Sequence, residues 1–387
     1  MELIPLATKK DEKRFLEFPV SLYKGNPHWI RPLDADIESV FDPRENKTFH
    51  DGVCKRWLLQ EGDKIIGRIA AFVIRAADRD EGPESRGGVG FFECIDRQEA
   101  ANALFDAARD WLRQQGVAFM DGPINFGKRD KWWGLLTKGY ELEPNYQSNY
   151  NFPYYRELFE RYGFKTYFEQ YTFIKPIHEP LSSRLEYKAD RIAEDPSYTF
   201  EHLRLSDIDK YAADIIQVYN RAWKKHQGVD SLTLDQGRAM MARIKPIIDE
   251  KLIWIAYYRE EPVAIFVNIP EVNQILRRLN GRLDWLGKLK FFWLKKTGRI
   301  TRVLGMVFGV VPEHQGKGVD GAIIHACARV IRTQRHYQTI ELSGIGDFNP
   351  KMILVARQVG GQLGKVHTTY RYLFDRQAPF ERMKPIR

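Results

Sequence analysis

The chain has 387 residues, of which 43% are apolar, and its 60 Lys and Arg side chains outnumber its 51 Asp and Glu side chains by nine. This length exceeds what one ordinary domain needs, and the apolar fraction excludes an intrinsically disordered chain. The positive charge is spread along the sequence, which excludes the dense basic arm of a dedicated nucleic-acid binder. It suits an anionic partner such as a nucleotide cofactor, an acidic carrier protein or RNA, or else a solubilising surface.

The cysteines and the N-terminal residues indicate the cellular compartment that we expect for this protein. Cys54, Cys94 and Cys327 are far apart, and no CxxC or His/Cys cluster accompanies them, so the sequence predicts neither disulfides nor a metal site. The N-terminal residues lack the apolar run of a signal peptide, and no segment is apolar enough to span a bilayer. We therefore expect a protein of the reducing cytoplasm without a transmembrane segment.

The first half of the chain predicts a β-hairpin followed by strand, helix and strand. Residues Arg56 to Ala76 contain two apolar β-rich runs around a turn at Gly62. The next segments are GGVGFFECID, RQEAANALFDAARDWLRQQG and VAFMDGPINF, and the middle one has apolar residues at helical spacing. The half closes with YYRELFERYGFKTYFEQYTFIKP, which predicts a helix, a glycine stop and an aromatic strand.

The second half repeats this order of elements. Residues Lys251 to Pro270 predict a second hairpin, and RVLGMVFGVVPEHQG, KGVDGAIIHACARVIRTQRH and YQTIELSGIGDFN predict strand, helix and strand. The final segment, KMILVARQVGGQLGKVHTTYRYLF, again predicts helix, glycine stop and strand. Strands that alternate with helices indicate an α/β fold (α+β in some schemes) in which helices flank a sheet, present here in two tandem copies.

The polar residues 178–198 separate the two copies and contain two prolines. We therefore predict a first domain over residues 1–177, a linker over 178–198 that could hold a helix, and a second domain over 199–387. Two segments have no counterpart in the other copy. One is aromatic and spans residues 127–155, and the other is basic and aromatic and spans residues 271–300.

The sequence VVPEHQGKGVDGAII, residues 310–324, joins an apolar strand to a helix through a glycine-rich turn. Glycines let a backbone approach a ligand closely, and the first amides of a helix have no intrahelical partner and carry partial positive charge. Together they predict an anion site suited to phosphates, with Lys317 adding charge. A tight strand-to-helix turn without a ligand is the plainer alternative.

In this context the segment resembles the GNAT acyltransferase superfamily, whose acyl-CoA motif is Gln/Arg-x-x-Gly-x-Gly/Ala. The matching stretch is Gln315-Gly316-Lys317-Gly318-Val319-Asp320, and only its last residue departs from the pattern. The resemblance covers residues 200–374, and the first half looks like a weaker copy that lacks the glycine-rich turn. It implies two tandem GNAT-like domains, each with a mixed, mostly antiparallel sheet flanked by helices.

The resemblance also implies which residues bind acetyl-CoA or another acyl-CoA. The strand before the turn splays from its neighbour, and its free backbone groups pair with the pantetheine arm; the residues in that place are Phe308, Gly309, Val310 and Val311. The phosphates would lie at the motif residues and at Gly321 just beyond them. Asn349, which matches the Asn that follows the next strand in the family, would also belong to the cofactor site. No metal is implied.

Two departures from the family pattern stand out. Asp320 takes the place of Gly or Ala, where its charge would repel a diphosphate, although its side chain could instead cap the helix. We favour the cap. Many family members carry a Tyr that protonates the leaving thiolate, and Ala356 stands there in this chain. Tyr370, Tyr372 or water could replace that Tyr, or no acid is needed because a thiolate leaves readily.

Acyl transfer to an amine also needs a donor for the carbonyl oxygen and an acceptor for the amine proton. We expect the oxyanion donor to be the amide near Val310. Base candidates are Glu341, His314, Asp347 and Glu313, directly or through water. A surface position for His314 and a salt bridge for Glu341 are the plainer alternatives.

The two unmatched segments could bind partners. Trp132, Trp133, Tyr150 and Tyr154 could line an acceptor pocket in the first copy or pack against the second. The second segment combines aromatic residues with lysines, and it could cover the cofactor phosphates, meet an acidic carrier protein, touch a membrane surface, or be a solvated helix. Its residues in question are Lys288, Lys290, Lys295, Lys296, Arg299, Phe291, Phe292 and Trp293.

Three hypotheses of function follow. The first is an N-acyltransferase that moves an acyl group, acetyl by default, from acyl-CoA or acyl-carrier protein to a small-molecule or peptide amine. The second moves an amino acid from aminoacyl-tRNA, although the dispersed basic residues disfavour a nucleic-acid partner. The third is a GNAT-like protein that binds a ligand or partner without catalysis, as Ala356, Asp320 and the eroded first copy would allow.

Overall fold

The computed structural model describes residues 1–75, 85–224, 231–297 and 300–386. The strands in these ranges are β1 (Glu2–Pro5), β2 (Gly52–Glu61), β3 (Lys64–Ile74), β4 (Arg86–Cys94), β5 (Phe119–Gly122), β6 (Leu135–Lys138), β7 (Lys165–Pro176), β8 (Tyr198–His202), β9 (Ile253–Tyr258), β10 (Glu261–Pro270), β11 (Arg302–Val310), β12 (Thr339–Gly346) and β13 (Gln362–Leu373). The helices are α1 (Lys9–Leu22), α2 (Asp34–Phe41), α3 (Gln98–Gln114), α4 (Tyr155–Tyr162), α5 (Ser183–Ala193), α6 (Ile208–Trp223), α7 (Leu234–Ile244), α8 (Asn273–Leu276), α9 (Trp285–Lys296), α10 (Val319–Ile331) and α11 (Pro350–Gln358).

The predicted repeat of elements is confirmed in chain order. The hairpins are β2–β3 and β9–β10, and each is followed by strand, helix and strand and then by a last helix and strand. Local chemistry sets several helix ends. Gly163, at φ 106°, ends α4 in the left-handed conformation that suits glycine, and the Asn349 side chain caps α11 by accepting the Met352 N–H. Ala76, the end of the predicted first hairpin, lies outside the described residues.

All of these strands form one continuous sheet, in which the two halves of the chain exchange their last strands. The strand order is β1-β2-β3-β4-β5-β13-β7-β12-β11-β10-β9-β8, with β6 pairing on β13. Thus β13, from the end of the chain, pairs with β5 of the first half, and β7 of the first half pairs with β12 of the second. Each half therefore completes the sheet of the other, and the halves share a central β13–β7 pair.

Each half has its own hydrophobic core on this shared sheet. In the first half, α3 and α4 bury Leu104, Phe105 and Phe159 against β3 and β4. In the second half, α6 and α10 bury residues such as Tyr211 and Ile323 against β9 and β10. This arrangement of helices against a mixed, mostly antiparallel sheet confirms the predicted fold class.

The segment predicted as a linker contains helix α5. It packs along α10, where His325 Nδ1 lies 3.5 Å from Asp190 Oδ1. The domain boundary itself stays a prediction, and the exchange of β7 and β13 means that it does not separate two complete sheets.

The insertion over residues 271–300 forms α8 and α9, which pack on a third core beneath them. Arg299, one of its predicted basic residues, lies outside the described residues. Within the described ranges, none of the helices combines the length and apolarity needed to cross a bilayer.

Candidate functional site

The two central parallel strands of the second half pair for only part of their length. Residues Arg302 to Gly305 of β11 pair with residues 339–342 of β12, and no pairing between these strands continues to Val310 in the described structure. Two irregularities mark the point of separation. Met306 is an extra residue opposite β10, and β12 has a register shift between Leu342 and Ile345. We call residues 306–310 of β11, on the side facing β12, the open edge.

Strand alternation decides which backbone groups face the open edge. The Val311 N–H donates to Val263 O at 2.9 Å, and the β10–β11 register is constant from Val310 back to Val307. Because successive residues of a strand direct their backbone groups to opposite sides, Phe308 and Val310 point away from β10 and into the open edge. This geometry suits the predicted roles of Phe308 and Val310.

The predictions for Val311 and Gly309 need correction. Val311 uses its N–H in the sheet, and its carbonyl accepts the His314 N–H at 3.0 Å, so neither group is free for a ligand. By the same alternation, Gly309 directs its backbone groups toward β10. The reason for glycine here is packing, since a Cβ on Gly309 would lie 2.5 Å from the Trp223 ring of α6.

The glycine-rich turn continues from the open edge. The Gln315 side chain returns to the strand, where its Nε2 donates to Val310 O at 2.9 Å. Gly316 and Gly318 have φ values of 74° and 87°, a left-handed conformation that L side chains rarely adopt. Gln315, Gly316 and Lys317 are exposed, so the turn is accessible to a ligand.

Gly318 begins helix α10, and this corrects the predicted role of Asp320. The N-cap is Gly318, which has no side chain, and Asp320 is the second residue of the first turn. Its carboxylate therefore does not cap the helix, although it lies where the helix dipole favours negative charge. The Val319, Asp320 and Gly321 amides precede the first intrahelical bond, which Ala322 makes to Gly318 O at 3.0 Å.

His314 anchors the turn and does not face the open edge. It is 9% exposed, and its Nδ1 lies 2.7 Å from the Tyr198 hydroxyl of β8. Burial, together with the nearby Lys317 charge, lowers the pKa of His314, which keeps the ring neutral in this position. The predicted surface alternative is therefore wrong, and so is a free imidazole. Glu313 is exposed and pairs with Arg221 at 3.3 Å.

Glu341 takes part in a buried ion-pair network. It is 2% exposed, and its carboxylate contacts Lys365 Nζ at 2.8 Å and Arg302 Nη1 at 3.2 Å. Lys365 also donates to Asn145, and Arg302 also contacts Glu143 at 2.9 Å. Glu341 lies in the paired part of the β11–β12 ladder, and its carboxylate is engaged by both cations. It therefore forms a salt bridge and is not a free base.

Glu271 lies in the same network and was not identified from the sequence. Its carboxylate is 1% exposed and accepts the N–H groups of Tyr146 (3.1 Å) and Asn273 (2.9 Å). Burial raises the pKa of Glu271 to about 7, against the opposing effect of Arg302. A lone Glu at a strand end gives no signal in the sequence that it will be buried here.

The remaining predicted acid–base residues are dispersed. Asp347 follows β12, and its carboxylate pairs with Arg382 at 2.5 Å; burial raises its pKa. Tyr370 is 1% exposed in the core of the first half, and its hydroxyl donates to Glu160 at 3.1 Å. Neither Tyr370 nor its neighbour Tyr372, which packs on the same core, lies beside the open edge. Ala356 is fully buried, so no acid stands at that position.

The corresponding strand of the first half is closed by its own chain. β4 and β5 also separate early, with Gly88 opposite Asp121. The Cys94 N–H at the end of β4 donates to the Tyr155 hydroxyl at 3.0 Å, and Tyr154 donates to Cys94 O at 2.7 Å. Tyr154 was predicted to bind an acceptor; instead it blocks the strand end that a donor arm would use.

The other predicted aromatic residues divide between a cleft and the core. Trp132 and Tyr150 line a cleft that is walled mainly by the first half and has a cavity volume of about 70 Å³. Arg68 and Glu93 form a buried pair at the same cleft, 3.7 Å apart. Trp132 is also a buried member of a core cluster, against which Trp133 packs. Among the described residues, no group of three His, Cys, Asp or Glu side chains could hold a metal ion.

Comparison with known proteins gives both sequence relatives and structural neighbours. No protein-family model matches the chain. A protein named bacterial ceramide synthase from Caulobacter vibrioides is 24% identical over 387 residues, which cover 96% of this chain and 97% of the relative.

Solved structures give the fold. A tandem GNAT protein from the clavulanic acid biosynthesis pathway superposes with a TM-score of 0.55 at 12% identity, and the match covers 98% of this chain and 99% of that one. The GCN5-related glucosamine N-acetyltransferase region of a fungal multi-domain β-N-acetylglucosaminidase gives a TM-score of 0.54 at 11% identity, covering 96% of this chain but 38% of that longer one. The resemblance to the GNAT superfamily is thus confirmed at the level of the fold: the chain has the fold of tandem GNAT proteins.

Proposed function

We propose that the second half of this protein binds an acyl-CoA and transfers its acyl group to an amine. The observation that carries the proposal is the open edge of β11, where the backbone groups of Phe308 and the N–H of Val310 face no strand. The Val310 carbonyl accepts Gln315 Nε2, so the edge leads directly into the exposed turn. A pantetheine arm contains two amides and can pair with such an edge as a short strand would. The phosphates would then reach the free amides at the start of α10.

The closed edge in the first half supports one donor site per chain. Tyr154 and Tyr155 take the hydrogen bonds of Cys94 that a ligand arm would otherwise take. The first half is then free to bind the acceptor, and its cleft beside Trp132 and Tyr150 is our candidate for that role.

The transfer needs a positioned amine, an oxyanion donor and an acceptor for the amine proton. The amine nitrogen attacks the thioester carbonyl, the C–N bond forms, the C–S bond breaks, and CoA leaves as a thiolate. Because the bulge lies at Met306, we move the expected oxyanion donor from Val310 to the amides beside Met306. Glu341, His314 and Asp347 all have partners in the described structure, so we assign the amine proton to water.

The acyl group and acceptor are inferred from the sequence relative. A ceramide is an amide of a fatty acid and a long-chain amino alcohol, so the relative's name implies N-acylation. We therefore propose a long-chain acyl group in place of the acetyl default, with an amino alcohol or another amine as acceptor.

The test is calorimetric titration of the full chain with acyl-CoAs. We expect saturable binding, and the double variant Gln315→Ala with Gly318→Asp should weaken it at least about a hundredfold, since it removes a turn contact and places a strained carboxylate beside the phosphates. The matched control is Gln98→Ala at the start of α3, where the first half has no turn of this kind. Unchanged affinity in the double variant would contradict the proposal.

Two further measurements separate the alternatives. Release of free thiol from a panel of acyl-CoAs and amines distinguishes a transferase from a protein that only binds the ligand. Replacing CoA by acyl-carrier protein tests the other phosphopantetheine donor, which has one phosphate and would lose less to the Asp320 charge.

A further inference from the structure

Helix α9 exposes an unusual number of large apolar side chains. Trp285 is 69% exposed, Leu289 61% and Trp293 59%, and Leu286 and Phe292 are each more than half exposed. Soluble proteins rarely leave such a contiguous set in water, so a patch of this kind marks a surface that something covers.

These side chains form one face of the helix. With 3.6 residues per turn, Trp285, Leu286, Leu289, Phe292 and Trp293 fall within an arc of about 120°. The opposite face holds Gly287, Phe291 and Leu294, which are buried against the third core. The helix is therefore apolar both inward and outward, and only the inward face has a partner within the described residues.

The exposed face is held firmly in place. The Asp284 side chain caps α9 by accepting the Gly287 N–H at 2.8 Å. Lys290 donates to Arg278 O and Lys295 to Pro246 O, each at 2.7 Å, so the helix is tied to the body of the protein on both flanks. Because the helix is already ordered, binding through its outer face would not require the entropy cost of folding it.

The charge around this face has one sign. Residues 277–296 contain seven Lys and Arg side chains and one acid, Asp284. Lys288 is exposed beside the apolar face, Lys296 is exposed within the same arc at the C-terminal end of the helix, and the helix itself contains no acidic residue. At a lipid interface, lysine side chains can contact the anionic headgroups while neighbouring Trp and Leu side chains contact the acyl chains below them.

We propose that α9 docks this protein on the surface of an anionic phospholipid bilayer, with Trp285, Leu289 and Trp293 inserted at the level of the upper acyl chains. The proposal does not rest on the proposed function. A second copy of the chain would bring the lysines of two helices together, and protein interfaces are depleted in lysine. An acidic protein surface would complement the lysine charge, but it would not bury the five large apolar side chains.

The experiment is co-sedimentation of the full chain with vesicles of phosphatidylcholine, with and without phosphatidylglycerol. We expect binding to the anionic vesicles that weakens with added salt. The variant Trp285→Gln with Trp293→Gln should partition at least about tenfold more weakly. Tyr187→Gln on α5, where Tyr187 is 66% exposed, is the matched control and should bind as the wild type does.

A charge variant separates the two contributions. Lys288→Gln with Lys296→Gln should lose most of the preference for phosphatidylglycerol while the apolar face is intact. All these residues are exposed, so the unfolding midpoints of the variants should match the wild type and confirm that they fold.

Three results would overturn the proposal. One is a wild-type protein that stays in the supernatant with anionic vesicles, and another is full binding by the Trp285→Gln, Trp293→Gln variant. The third is a dimer, seen by light scattering, that this variant abolishes while vesicle binding is absent, because a second copy would then cover α9.

Discussion

Glu271 is a buried carboxylate whose ionisation the fold opposes. It lies at the end of β10, 1% exposed, and the loop over residues 139–151 from the first half covers it through Tyr146. The charged groups facing it are Arg302, Glu341 and Lys365. Burial is the dominant effect on its pKa, which rises to about 7 from an ordinary value of 4.5.

This raised pKa predicts a pH dependence of stability. The folded state holds the proton more tightly than the unfolded state, so the stabilising contribution is complete below about pH 4.5 and is lost as the pH rises to about 7. Glu271→Gln cannot titrate and should lack this component. Urea unfolding of both proteins between these pH values is the measurement, and the wild type should lose stability relative to the variant as the pH rises.

If the difference in unfolding free energy between the wild type and Glu271→Gln stays constant across this pH range, the raised pKa of Glu271 is contradicted. Glu99→Gln, in the first turn of α3, is the matched control at an exposed carboxylate.

At the scale of elements, the corresponding strands β4 and β11 differ in whether their free edge is covered. The end of β4 is closed by two tyrosines, whereas the open edge of β11 leads into a glycine-rich turn. A tandem duplication can keep the fold in both copies while one copy fills its ligand groove with its own side chains.

This difference predicts the effect of removing one hydroxyl. Tyr155 is fully buried, accepts the Cys94 N–H, and donates to Glu93 at 2.7 Å. Tyr155→Phe leaves a buried N–H and a carboxylate short of a partner, which should cost about 1–3 kcal/mol in unfolding free energy. Acyl-CoA affinity should not change, because we propose the donor site in the other half.

The control for this variant is Tyr154→Phe. Its hydroxyl bonds a carbonyl oxygen at a partly exposed position, so the loss should be smaller. Equal losses in the two variants would contradict this account of the first half.

The order of elements and the turn could be predicted because their signals are local. Apolar periodicity and glycine placement predicted the two hairpins, the helices α3, α4, α10 and α11 of the repeated units, and the Gln315–Gly318 turn. The role of Val311 was missed because it depends on which backbone groups pair with the neighbouring strand. The role of Asp320 was missed because it depends on which residue is the N-cap of α10. The Tyr154–Tyr155 pair was visible in the sequence, but its contact with Cys94 is a long-range one.

At the scale of the molecule, the exchange of β7 and β13 had no signal in the sequence. Both strands are aromatic and end their halves in the same way, so either position in the sheet satisfies their patterns. The exchange joins the halves through the central β13–β7 pair and places the network of Glu341, Lys365 and Arg302 at that junction. The proposed donor site in the second half and the proposed acceptor site in the first half would therefore share one continuous sheet.

The most direct test of the central claim is a crystal structure of the full chain with a bound acyl-CoA. The account predicts one ligand per chain, with the pantetheine amides paired to the backbone of Phe308 and Val310 and the phosphates at the amides following Gly316. Electron density for the ligand beside Trp132 in the first half, with the open edge of β11 empty, would contradict it.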